Sequence, residues 1–137
     1  MRVKPNKIII DTNLWISYLI TKGFTKLDKQ IYSDKALLVF SQELIDEFIA
    51  VSKRPKFAKY FSSDDVVRLL ELFDTYGILI EVKSKINVCR DLKDNFLLSL
   101  SIDGKADYLI TGDNDLLWLE SFGNTKILTI TDFELII

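Results

Sequence analysis

The chain has 137 residues, 48% of them hydrophobic and 28% charged, with a formal net charge of −2. This size and composition predict a single domain over residues 1–137, with too little chain for a second hydrophobic core. The sequence contains no histidine, which excludes histidine-based triads, histidine general bases and histidine-ligated zinc sites. Catalysis by this chain would have to use carboxylates, hydroxyls, lysines or a hard metal ion.

Cysteine usage and hydropathy indicate the compartment. Cys89 is the only cysteine, so no disulfide can form within the chain, which suits the reducing cytoplasm. No apolar run approaches the ~18 residues of a membrane-spanning helix. The first seven residues also lack the pattern of a secretory signal. We therefore expect a cytoplasmic protein that does not contact the membrane.

Short apolar runs alternate with longer amphipathic stretches along the chain. The spacing of apolar residues distinguishes the strands from the helices. In chain order it predicts a strand over 7–10, helices over 12–21 and 25–33, a strand over 36–40, a helix from Ser41 that Pro55 ends after Arg54, a helix over 63–76, a strand over 78–82, a helix over 94–102, a strand over 107–110, a short helix from about residue 115 and a strand over 126–130. Ser41 and Asp94 are the expected N-caps of their helices, and Gly77 is an expected C-cap.

Buried strands that alternate with helices predict an α/β fold of three layers, with a five-stranded parallel sheet between two layers of helices. In such sheets, ligands bind beyond the carboxyl ends of the strands, near a switch in strand order. Acidic residues recur at these places. Asp11 follows the first strand, Asp113 and Asp115 follow the fourth, and Glu43, Asp46 and Glu47 lie shortly after the second.

Several carboxylates that converge on one cleft repel each other unless a cation neutralises them. Oxygen ligands without nitrogen or sulfur suit Mg²⁺ or Mn²⁺. Such an ion supports in-line displacement at phosphorus without any histidine. Each residue also has a structural alternative, because Asp11 and Asp94 are plausible helix N-caps and residues 111–115 are typical of a turn. The joint occurrence of acids at the strand ends favours a metal-dependent nuclease.

The ordered set of motifs resembles the PIN-domain family of ribonucleases, and especially the PIN toxins of bacterial and archaeal toxin–antitoxin pairs. The resemblance covers nearly the whole chain. The motifs are IIIDTN at 8–13, SQELIDEF at 41–48, CRDLKDNFLL at 89–98, ADYLITGDNDL at 106–116 and KILT at 126–129.

The resemblance implies Mg²⁺- or Mn²⁺-dependent cleavage of single-stranded RNA. Its catalytic acids would be Asp11, Glu47, Asp94 and Asp113, and its metal ligands Asp11, Asp94, Asp113 and Asp115. Asn13 and Thr111 would support these acids. Two choices stay open, because Asp46 adjoins Glu47 and Asp91 is close to Asp94. Glu47 is preferred because the apolar Phe48 follows it, and Asp94 because it abuts the apolar helix.

Three other protein classes share parts of this pattern. A haloacid-dehalogenase-type phosphotransferase needs a second Asp two residues after the first, where this chain has Asn13. A response-regulator receiver needs a phosphate-accepting Asp after its third strand, where this chain has Lys83 and Ser84. A catalytically silent PIN-like module that binds RNA or protein is the alternative that the residues leave open.

The basic residues and the family resemblance each predict binding partners for this chain. Lys53, Arg54, Lys56 and Lys59 alternate with aromatic residues up to Phe61, and cations with exposed rings can bind single-stranded RNA. Phe57 and Phe61 are spaced like a core-facing stripe, which is the structural alternative. The resemblance to toxins implies an antitoxin protein as a partner. A homodimer could use the apolar helices around residues 14–19 or 57–73.

Overall fold

The computed structural model describes residues 4–137, and within them the chain forms six strands and eight helices. The strands are β1 (Asn6–Ile10), β2 (Ala36–Phe40), β3 (Gly77–Leu79), β4 (Tyr108–Ile110), β5 (Ser121–Phe122) and β6 (Thr125–Leu128). The helices are α1 (Thr12–Thr21), α2 (Thr25–Tyr32), α3 (Gln42–Ser52), α4 (Pro55–Ala58), α5 (Ser63–Tyr76), α6 (Leu92–Asp103), α7 (Asn114–Leu117) and α8 (Ile130–Ile136). In this described part of the chain, every helix is too short or too polar to cross a membrane.

The strands form one sheet in the order β3-β2-β1-β4-β6-β5. β1 pairs in parallel with β2 on one side and with β4 on the other, and the β2–β3 and β4–β6 pairs are also parallel. Among residues 4–137, the two-residue β5 is the one antiparallel strand, and it pairs with β6. The predicted α/β fold is therefore confirmed. The five predicted parallel strands are present, and the sixth strand, β5, was not predicted.

Helices cover both faces of the sheet, and β1 shows how one strand serves both. Ile8 and Ile10 point to the face covered by α1, α2, α3, α5 and α8, where the core is rich in aromatic residues. Ile9 points to the other face and packs with leucines of α6 and α7. Because successive side chains of a strand alternate between faces, a strand buried on both sides is apolar at every position.

The third strand is shorter than its sequence predicted. The ladder with β2 ends at Leu79, although the Ile80 N–H still donates to the Phe40 carbonyl at 2.8 Å. Residues 81–89 instead run along α6, whose polar side chains bind their backbone. Asp103 accepts from the N–H of Lys83 and Ser84, Ser99 from that of Ile86, and Asn95 from those of Val88 and Cys89.

Gly77 joins α5 to β3 without a loop. The predicted C-cap is at this position, but its φ of −132° is extended rather than left-handed. The reason for glycine is close packing, because a Cβ here would clash with the Phe40 ring and the Phe73 carbonyl. Helix α5 can therefore turn directly into the sheet.

The expected boundaries of α3 are close to those observed. Ser41 is the N-cap, as predicted, and its hydroxyl accepts from the Leu44 N–H at 3.1 Å. The helix ends at Ser52, two residues before the predicted end. Pro55 then begins α4, because proline lacks only an N–H that a first helical residue does not need.

The C-terminal part of the chain differs most from the prediction. The strand predicted over 126–130 is β6, which ends at Leu128 because Thr129 caps a further helix, α8. The Thr129 hydroxyl accepts from the Asp132 N–H at 3.1 Å, and Phe133 of α8 is fully buried. The β5–β6 hairpin was also missed. Its turn contains Gly123, which adopts a φ of +57° that glycine tolerates without strain.

Candidate active site

A cleft opens where the carboxyl ends of the central strands meet. β1 lies between β2 and β4, so the chain moves to opposite sides of β1 at this point, which is the switch that favours a ligand site. Asp11 follows β1 directly, and its N–H donates to the Ile110 carbonyl of β4 at 3.0 Å. The cleft has a volume of about 410 Å³. Its acidic lining residues are Asp11, Glu43, Glu47, Asp91, Asp94 and Asp113.

Asp94 lies in the first turn of α6, and its prediction as the N-cap was wrong. The cap is Asp91, whose side chain accepts from the Lys93 N–H at 2.9 Å. Both residues satisfy the sequence pattern of a cap, and Asp91 takes the role because α6 begins at Leu92. Asp94 is therefore free to turn inward, where it is only 3% exposed. Its Oδ2 atom has no hydrogen-bond partner among residues 4–137.

A buried carboxylate without a full set of partners is costly as an anion. Burial is the largest cause that raises the pKa of Asp94, and the negative charges of Asp113, Asp91, Asp11 and Asp115 add to it, so that the pKa reaches about 6. One carboxylate oxygen from each of Asp94, Asp113 and Asp115 lies within 4.8 Å of the other two. This donor set fits a hard cation, which would satisfy the orphan oxygen and cancel the repulsion.

Thr111 joins Asp11 to Asp113. Its buried hydroxyl donates to Asp11 Oδ2 at 2.8 Å and accepts from the Asp113 N–H at 3.0 Å. Asp113 caps α7, and its Oδ1 atom accepts from the N–H groups of Asp115 and Leu116. The exposed Asn13 contributes its backbone N–H to Asp11 Oδ1 at 3.4 Å. The two acids at the ends of β1 and β4 are therefore held in fixed positions.

Of the adjacent acids on α3, Glu47 is the one that lines the cleft. Burial raises the pKa of Asp11, and the charges of Glu47 and Asp113 raise it as well, whereas the bonds from Thr111 and Asn13 lower it. Asp46 is exposed and accepts from the Gln42 side chain at 2.9 Å. The structure thus brings Glu47 together with Asp11, Asp94 and Asp113.

Asp115 is the most exposed of the predicted metal ligands. One guanidinium nitrogen of Arg90 lies 3.1 Å from each of its carboxylate oxygens. A second ion pair joins Lys93 Nζ to Glu47 Oε1 at 3.3 Å. Neither cation was predicted from the sequence, although Arg90 and Lys93 lie in the same motif as Asp94. Their acidic partners, Asp115 and Glu47, are distant from them in the chain, so no local sequence pattern predicts these ion pairs.

The basic segment predicted to bind RNA is only partly at the cleft. All four basic residues are exposed, and of them Arg54 lines the cleft whereas Lys53, Lys56 and Lys59 do not. Phe57 and Phe61 pack against the core, as their structural alternative predicted. Tyr60 is 52% exposed, with Lys59 Nζ 5.1 Å from the centre of its ring. Of the helices suggested for a homodimer, α1 buries Trp15, Ile16 and Leu19 in the core.

Comparisons with known proteins find two similarities that each extend over most of the chain. An uncharacterized protein of Methanocaldococcus jannaschii is 31% identical over 132 residues, which cover 94% of this chain and 83% of that protein. Residues 7–115 match a sequence model described as a PIN domain. The matched span begins before Asp11 and ends at Asp115, so it contains every acid that lines the cleft. The chain therefore belongs to the PIN-domain family, whose members are generally metal-dependent nucleases.

Proposed function

We propose that this protein is a Mg²⁺- or Mn²⁺-dependent endoribonuclease that cleaves single-stranded RNA. The observation that carries the proposal is the buried Asp94 carboxylate, whose Oδ2 atom has no partner among residues 4–137. The neighbouring carboxylate oxygens of Asp113 and Asp115 are further ligands for a cation bound at this oxygen. Membership of a nuclease family supports hydrolysis of a phosphodiester.

The residues that would hold the cation are Asp94, Asp113 and Asp115, with Asp11 beside them. Carboxylate oxygens without histidine or cysteine ligands favour Mg²⁺ or Mn²⁺ over zinc. Lewis-acid activation of a water molecule and of a phosphodiester is the chemistry that such an ion supplies when bound. Asp11 and Glu47 complete the set of catalytic carboxylates that we propose.

The remaining side chains of the cleft orient the acids and the substrate. Thr111 holds Asp11 and Asp113 in a common arrangement through its two hydrogen bonds. Arg54 and Lys93 line the same cleft and can bind phosphate groups. These basic side chains offset part of the repulsion between the phosphates of an RNA and the carboxylates of the cleft. An RNA chain can therefore bind across the cleft.

The direct test of the proposal is cleavage of a labelled single-stranded RNA by the purified protein. We expect cleavage in Mg²⁺ or Mn²⁺, loss of cleavage in excess EDTA, and recovery when the metal is restored. RNA binding without cleavage under all of these conditions would instead identify a catalytically silent module.

We expect Lys56 and Lys59 to contribute to RNA binding through charge. Both lysines are exposed on and after α4, near Arg54 of the cleft. Replacing both by glutamate should weaken RNA binding and reduce the slope of affinity against salt by about 0.7 for each lost phosphate contact. Anisotropy titrations of a labelled RNA at several salt concentrations measure this slope. An unchanged slope in the double variant would show that the segment is only structural.

We also propose that the nuclease is the toxin of a toxin–antitoxin pair, with the antitoxin inhibiting it at the cleft. The support is the resemblance of its motifs to PIN toxins and the concentration of acids in one cleft. An arginine of the partner would suit this cleft best, because its planar guanidinium can bond a carboxylate at two points.

If the partner's cation competes with the metal, inhibition should weaken as Mg²⁺ or Mn²⁺ is raised. The measurement is co-expression with the product of an adjacent short gene, co-purification, and an RNA-cleavage assay across metal concentrations. A neighbour that neither binds nor inhibits, together with normal growth when this protein is expressed alone, would remove the toxin assignment and leave the nuclease assignment standing.

A further inference from the structure

We propose that Arg90 and Lys93 pair with carboxylates of the candidate metal site in the free protein and bind RNA phosphates instead once a cation occupies that site. This inference rests on the proposed function, because it concerns the same metal and the same substrate. It assigns both residues to substrate binding and makes metal binding and RNA binding mutually reinforcing.

The contact between Arg90 and Asp115 is the first observation. The same guanidinium nitrogen lies 3.1 Å from both carboxylate oxygens, so the cation covers the edge of Asp115 that faces it. Asp115 is also one of the three acids whose oxygens cluster within 4.8 Å. A metal ion that uses Asp115 must therefore compete with Arg90.

The contact between Lys93 and Glu47 is a second pair of this kind, and it lies at the cleft itself. Lys93 Nζ lies 3.3 Å from Glu47 Oε1, and both residues line the cleft. Lys93 immediately precedes the buried Asp94 in α6. Two cations from one short stretch of chain are thus paired with two acids of the site.

The backbone beneath these cations is fixed, so their side chains can exchange partners without moving the chain. The Asn95 side chain accepts from the N–H groups of Val88 and Cys89 and donates to the Cys89 carbonyl at 2.9 Å. Asp91 caps α6 directly after Arg90. By contrast, the side chain of Arg90 is 89% exposed and that of Lys93 is 63% exposed.

The energetics favour exchange over a permanent ion pair. Ion pairs between exposed side chains stabilise a protein only slightly, so a divalent cation can displace them easily. Once the metal has neutralised the acids, Arg90 and Lys93 are attracted less to the carboxylates and are free to contact phosphates. Each cation therefore opposes metal binding in the free protein and favours RNA binding in the metal-loaded one.

This opposition gives a signature that a merely structural residue would not produce. Arg90→Gln should tighten the dissociation constant for Mn²⁺ in the absence of RNA by about twofold to fivefold, because it removes a competing cation. The same variant should weaken RNA binding in the presence of metal and reduce its salt slope by about 0.7. Lys93→Gln should shift both affinities in the same directions.

The experiment uses the full chain and two binding measurements. Calorimetric titration with MnCl₂ gives the metal affinity, and anisotropy of a fluorescein-labelled single-stranded RNA in CaCl₂ gives the RNA affinity, with the RNA length checked on a gel afterwards. Lys35→Gln is the matched control. It removes the same charge from an exposed lysine just before β2, at the amino-terminal end of the strand and away from the carboxyl ends that form the site.

We expect Arg90→Gln and Lys93→Gln to shift the two affinities in opposite directions, while Lys35→Gln changes neither. Weaker Mn²⁺ binding in Arg90→Gln and Lys93→Gln, or affinities equal to those of Lys35→Gln, would overturn the inference. Metal-dependent cleavage by the wild type would still support the proposed function in that case. A wild-type protein that binds no Mn²⁺ would overturn the inference together with the metal-dependent nuclease itself.

Discussion

Replacing Asp113 by asparagine should reduce cleavage of single-stranded RNA by about 10²- to 10³-fold, because a metal site contributes several kcal/mol to such a reaction. Asparagine keeps the shape of the side chain and removes the charge that holds the cation. Asp113 Oδ1 accepts from the backbone N–H groups of Asp115 and Leu116, which an amide oxygen can also bind. The variant should therefore fold normally, and the loss should be one of metal affinity and rate.

The same loss is expected for Asp11→Asn and Asp94→Asn. Thr111 holds the carboxylate of Asp11 in position, and Asp94 is buried beside Asp113 and Asp115. Loss of the negative charge at either position should therefore weaken binding of the cation. The measurements are initial cleavage rates at several Mn²⁺ concentrations, together with Mn²⁺ titration by calorimetry. Full activity in any of these three variants, or in excess EDTA, would refute the mechanism.

Two neighbours on α3 supply a matched control. Glu47→Gln removes a carboxylate that lines the cleft and should lower the cleavage rate. Asp46→Asn removes an exposed carboxylate that bonds Gln42, and an amide oxygen can keep that bond. We therefore expect Asp46→Asn to retain the wild-type rate. The reverse result would assign the catalytic role to Asp46.

The strand-end acids could be found from the sequence because the signal for each is local. An apolar run predicts a buried strand, and in a parallel sheet the next residue lies at the edge where ligands bind. Asp11 and Asp113 were located in this way, and the structure links both to Thr111. The order of the strands, which brings β1 next to β4, then places the two acids together.

Asp94 shows why helix boundaries are harder to predict. The stretch from Asp91 to Asp94 offers two acids that can cap a helix, and hydrophobic spacing does not distinguish them. Once Asp91 takes the cap, Asp94 moves from the end of the helix to its first turn and becomes buried. A shift of three residues therefore changes a capping group into a buried carboxylate.

Other features depend on contacts between distant parts of the chain, which no local pattern encodes. The strand predicted over 78–82 ends early because α6 offers Asp103, Ser99 and Asn95 to the backbone that follows. The ion pair between Arg90 and Asp115 joins residues 25 positions apart. The β5–β6 hairpin did have a local signal, the Gly123-Asn124 turn, but a strand of two residues has too few side chains for an alternating pattern.

In metal-free protein, Asp94 should lower the stability of the fold as the pH rises from about 4 to about 6. The pKa of its carboxyl is about 6 in the folded protein, compared with an ordinary value of 3.8. Between these values the unfolded chain loses the proton while the folded protein retains it, so stability falls with increasing pH. The loss is nearly complete about one pH unit above the folded pKa, near pH 7, and amounts to about 3 kcal/mol, because each pKa unit corresponds to about 1.4 kcal/mol.

Asp94→Asn should remove this loss, since the amide does not ionise. In EDTA, the variant should be more stable than the wild type by up to about 3 kcal/mol at pH 7.5, and the difference should fall toward zero at pH 4. Urea unfolding at several pH values measures the difference, in which the other titrating groups largely cancel.

Asp113→Asn should lower the pKa of Asp94 in the folded protein, because the charge of Asp113 is the largest cause of its raised pKa after burial. The pH range over which the wild-type stability falls should therefore become narrower in this variant. Saturating Mn²⁺ should stabilise the wild type and leave Asp94→Asn nearly unchanged. Two results would contradict this prediction: a stability difference between wild type and Asp94→Asn that stays constant with pH, or a variant less stable than the wild type at pH 7.5. Either would show that the buried Asp94 carboxylate does not destabilise the metal-free protein.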